Sequence, residues 1–63
     1  MVRPSIIAVL RSNAQILELM AAQYEELARR TIDTEEITGL QTLARKCRIL
    51  AGDMSQAVQS AAA

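Results

Sequence analysis

The sequence predicts an all-α protein, an antiparallel two-helix hairpin that self-associates into a four-helix bundle, and three observations carry that expectation. Of the 32 apolar residues 11 are Ala, only Tyr24 is aromatic, and β-branched residues are a minority, a composition that favours helix. Two long stretches repeat their apolar residues in alternating steps of three and four, the period of a helix with one buried stripe. Between them lies a single segment with strong stop-and-start chemistry, Thr31-Ile32-Asp33-Thr34-Glu35-Glu36.

The first helix is expected over about 5–30, with Pro4 or Ser5 at its start, where proline is tolerated. Its stripe is Ile6, Leu10, Asn13, Leu17, Met20, Tyr24 and Leu27, flanked by Ile7, Ala14, Ala21 and Ala28 at seven-residue intervals. Arg29 and Arg30 suit the negative end of the helix dipole, each four residues after Glu25 or Glu26. The turn spans 31–33. Asp33 reads as an N-cap that forms a capping box with Glu36, and Ile32 with Ile37 fits a hydrophobic staple.

The second helix is expected over about 34–60. Ile37, Leu40, Ala44, Cys47, Ala51, Met54, Val58 and Ala61 keep the alternation unbroken, flanked by Leu43, Leu50 and Ala57. Ser60 to Ala63 offer little to anchor and are expected to fray.

Folding back at the turn pairs residues whose numbers sum to about 65, as an αα-hairpin requires. Ala21 then faces Ala44, Ala14 faces Ala51, Ile7 faces Val58 and Ala28 faces Ile37. Small side chains meeting small ones permit close helix approach. The larger seam residues Leu10, Leu17, Met20, Leu27, Leu40, Leu43, Cys47, Leu50 and Met54 exceed what two helices can cover, so they are the expected oligomer interface. Residues 1–63 read as one hairpin domain.

At 63 residues the chain is too short for a large core, which disfavours an autonomous enzyme and favours association with itself or a partner. Seven acids balance seven bases, which disfavours binding by bulk charge to nucleic acid or membrane. One cysteine excludes an internal disulfide, and the absence of histidine removes the usual zinc and di-iron ligand sets and the usual general base. The apolar run Ile6 to Leu10 is too short for a signal core or a membrane span. A soluble, cytoplasmic, non-enzymatic protein without cofactor or metal is expected.

Individual reactive side chains read as structural. Glu18, Glu25 and Glu26 lie on the polar side of the first stripe, where carboxylates are solvated and ion-paired. Cys47 sits among Arg45, Lys46 and Arg48, which could activate a thiol, yet its heptad position is a core one. Residues 18–36 hold six acids and two bases, so the turn segment is acidic.

Two further surfaces are candidates for partners. Arg45, Ile49, Gly52 and Gln56 recur at helical spacing outside the seam, a stripe where another protein helix could lie close. Arg45, Lys46 and Arg48 form the only basic cluster, a candidate RNA or DNA phosphate patch, with Glu18 at the same level and no aromatic nearby for base stacking. In length and helix–turn–helix plan the chain is similar to the plasmid Rop proteins, which dimerise and bind paired RNA loops. The similarity is architectural, with no shared residue motif, so no residue role carries over. The leading expectation is a small regulatory interaction module that dimerises or completes a helical bundle with a partner protein. The alternative is a Rop-like bundle that binds nucleic acid through a basic helix face.

Overall fold

The computed structural model describes residues 5–62, and two helices make up nearly all of them: α1, Ile6–Arg30, and α2, Thr34–Ala62. Ser5 caps α1, its hydroxyl accepting from the Ala8 N–H at 3.0 Å and satisfying one orphan donor of the first turn. The expectations placed on Pro4 and Ala63 lie outside the described residues.

At the far end of α1 the Thr31 hydroxyl donates to the Leu27 carbonyl at 2.7 Å, and the Thr31 N–H donates to the Ala28 carbonyl at 3.3 Å. Both satisfy carbonyls that the helix leaves without an internal partner. Glu26 accepts from Arg29 at 2.6 Å and from Arg30 at 3.0 Å. Both arginines therefore share one carboxylate, whereas the sequence spacing assigned Arg29 to Glu25. Glu25 has a stronger claim elsewhere, across the hairpin.

α2 begins on Asp33, whose Oδ1 accepts from the backbone N–H of Glu35 at 2.8 Å and of Glu36 at 3.2 Å. Only this half of the expected capping box forms, since no bond returns from the Glu36 side chain to Asp33 among the described residues. The expected staple is also absent. Ile32 is 98% exposed, because the three-residue connection carries it outward, away from Ile37. The helix continues to Ala62, two residues beyond the expected end, and Ser60 and Ala61 remain helical. Alanine is the strongest helix former, which accounts for the extension.

The helices pack along the alanine rows. Ala14, Ala21 and Ala28 of α1 and Ala44, Cys47, Ala51 and Val58 of α2 are the buried residues, and five of these seven are alanine. Ala21, with no exposed surface, meets Ala44 and Cys47 at the centre, with Leu17, Met20 and Tyr24 packed against them. The Cα atoms span 48 × 25 × 11 Å, a slab one helix thick. No large side chain is fully buried among the described residues. Two helices in one layer close a narrow alanine seam and leave their broader apolar surface uncovered.

Candidate protein-docking face

A helix turns about 100° per residue, so its sequence fixes which side of the slab each residue takes. On α1, Glu18, Glu25, Arg11 and Arg29 fall to one side of the Ala14–Ala21–Ala28 row, and Leu17, Met20, Val9, Ile16 and Leu27 fall to the other. On α2, Arg48, Gln41, Ser55 and Arg45 fall to one side of the Ala44–Ala51 row, and Cys47, Leu43, Leu50 and Met54 fall to the other. In an antiparallel pair like sides meet, so the hairpin has one charged face and one apolar face.

The charged face is closed by a single cation. Arg48 donates through Nη1 to Glu18 Oε2 at 2.7 Å and through Nη2 to Glu25 Oε1 at 2.5 Å, bridging two carboxylates seven residues apart on α1. The Glu25 carboxylate, and then Glu18, hold the Arg48 guanidinium above its ordinary pKa. Glu26 is held below its ordinary carboxyl value, first by its hydrogen bond to Arg29 and then by the charges of Arg29 and Arg30. A shallow groove beside the bridge is lined by Glu25, Arg29, Gln41, Arg45 and Arg48 over Ala28 and Ala44.

The basic cluster is dispersed by this arrangement. Arg48 is committed to two glutamates and Arg45 borders the groove. Lys46, two residues from Arg48 and so about 200° around the helix, points to the other side. The three cations do not present one phosphate-binding surface. The stripe Arg45, Ile49, Gly52 and Gln56 is exposed on the outer charged side of α2, and Ile49 is among the exposed large apolar residues.

The apolar face gathers the residues singled out as an oligomer interface. Cys47 is buried in the seam; Leu10, Leu17, Met20, Leu40 and Met54 are half-buried; Leu27, Leu43 and Leu50 are exposed at 51%, 45% and 49%. Val9 and Ile16, omitted from that set, stand on the same face and are also exposed. Their signal was present in the sequence: each lies seven residues from another, in a row continued by Gln23 and Arg30, and that polar continuation hid it.

Among the described residues no three His, Cys, Asp or Glu side chains are grouped to hold a metal, and no helix is long and apolar enough to cross a membrane. The class that the fold and this face define is a helical hairpin with one charged and one apolar side. Comparison with protein-family models, curated proteins and solved structures finds no match to this chain.

Proposed function

We propose that this protein is a small non-enzymatic interaction module whose apolar face docks onto another layer of helices, supplied by a second copy or by a partner protein, to complete a four-helix bundle. The observation that carries the reading is the one-layer slab with half-exposed Leu27, Leu43 and Leu50 on a single side. Stable folds bury an apolar stripe between two layers, and contiguous exposed apolar surface of this kind marks an interaction site.

Nucleic-acid binding is the alternative, and it has less support, because Arg48 is paired with two glutamates and Lys46 lies on the side of α2 opposite Arg48. Neutralising phosphates makes binding fall steeply with salt, whereas apolar packing does not weaken in that way.

The test is circular dichroism of the isolated chain during thermal unfolding over a hundredfold range of concentration. The expected result is either a midpoint that rises with concentration, as mass action demands of an assembly, or a chain that is only marginally folded alone. A cooperative, concentration-independent transition of a well-folded 6.9 kDa monomer would mean that the slab is complete as it stands, and the reading would fail.

A further inference from the structure

We infer that the layer covering the apolar face is a second copy of this chain, laid antiparallel so that each turn meets the other chain's open end, with the two-fold axis at the level of Leu17 and Cys47. The inference rests on the docking reading above and names its occupant.

The first argument is symmetry of the exposed pattern. A two-fold interface must be self-complementary, each residue meeting the symmetry mate of another. On α1 four apolar residues of this face fall in pairs about residue 18, Val9 with Leu27 and Ile16 with Met20, while exposed Ile6 and half-buried Leu10 fall opposite Arg30 and Glu26. On α2 such pairs fall about Cys47, Leu40 with Met54 and Leu43 with Leu50. These two centres lie near one level of the hairpin, since Ala21 packs on Ala44 and Cys47 and Arg48 reaches Glu18.

Charge selects the direction. Residues 18–47, the half toward the turn, carry six carboxylates against four cations, a balance of −2, and the net charge of zero leaves +2 on the rest. With turns together, like charges would meet; reversed, the acidic turn of each copy lies at the level of the other's more basic open half. The area is adequate. A face of 48 × 25 Å offers on the order of 1,000 Å² per copy, against about 800 Å² per partner in a standard stable interface.

The experiment measures spin-label distances in a Cys47→Ala background, after light scattering has established the mass. Labels go on Ile32→Cys, in the exposed turn, and on Gln59→Cys, exposed near the open end. At 1.5 Å per residue the antiparallel dimer places two Ile32 labels about 40 Å apart, and two Gln59 labels about 36 Å apart. A mixed sample, Ile32 on one copy and Gln59 on the other, gives about 20 Å or less, because each turn lies beside the partner's open end. Short same-site and long mixed distances overturn the orientation. A chain that is marginally folded and monomeric at every concentration overturns the second copy while leaving the docking reading standing with a foreign partner. Should the Ile32 variant unfold, the Gln59 pair decides by itself.

Discussion

Arg48 on α2 reaches Glu18 on α1 at 2.7 Å, joining two residues 30 positions apart in the chain. With the bond to Glu25 it fixes which side of the slab is charged, and by exclusion which side is apolar. Exposed ion pairs contribute little to stability, so the role of this bridge is to hold register and facing. Arg48→Met should shift the urea midpoint only slightly at low ionic strength, with the difference from the parent shrinking further in 1 M salt. A large loss that persists in 1 M salt would show that the guanidinium bridge contributes far more than an exposed ion pair.

Acid sensitivity should centre on Glu26. Its pKa is held below the ordinary 4.5 by Arg29 and Arg30, so its contribution is complete above the unfolded-state value and is lost as pH falls through the folded one. Glu26→Gln should therefore be less stable than the parent at pH 7, with the two converging well below pH 4. Thermal unfolding at both pH values checks this, and a constant gap would remove Glu26 as the source.

At the turn, the two halves of the expected capping box should separate energetically. Asp33→Ala loses both bonds to the Glu35 and Glu36 N–H groups and should lower stability by about 0.5–2 kcal/mol. Glu36→Ala breaks no bond to Asp33 and should cost much less. Equal losses in denaturant midpoint would indicate that the reciprocal bond forms in solution.

The glycines of α2 provide a further test. A methyl built on Gly39 or Gly52 meets nothing within 4 Å, and both glycines have ordinary helical backbone. Each change to alanine should then stabilise the hairpin by about 0.5–1 kcal/mol through helix propensity. Gly52 shares an exposed stripe with Arg45, Ile49 and Gln56, where a neighbouring helix could use the missing methyl. Gain at Gly39 with loss at Gly52 would place another backbone there.

The helix pattern was legible because local signals agreed. The Ala rows specified the buried seam, and Asp33 with its flanking threonines and glutamates specified the break. The sequence also placed Glu18 at the level of the basic cluster, where the bridge to Arg48 forms. Errors arose where several local partners competed. Spacing alone could not tell that Glu26 would take both Arg29 and Arg30 once Glu25 was drawn to Arg48. Nor could it tell that a three-residue turn would throw Ile32 into solvent, since a staple depends on the direction in which the chain enters the helix. The sidedness of the slab followed only when both helices were viewed together.

That sidedness can be tested by placing the same charge on each side. Leu27 and Leu50 are about half-exposed on the apolar face, and Leu19 is 65% exposed on the outer side of α1, away from that face. If the hairpin existed alone, Asp at any of the three would be solvated and its effect modest. In an assembled bundle, Leu27→Asp or Leu50→Asp buries a carboxylate without a partner, at a cost of several kcal/mol against a total stability of about 5–15. Leu17→Asp should be at least as severe, because Leu17 also packs on Ala21, Ala44 and Cys47. Light scattering and circular dichroism should then show dissociation with loss of helix for Leu17→Asp, Leu27→Asp and Leu50→Asp, and little change for Leu19→Asp. Equal tolerance of Asp at Leu19, Leu27 and Leu50 would leave the apolar face without a covering layer; equal collapse would show that Leu19 is covered too, enclosing the hairpin on both sides.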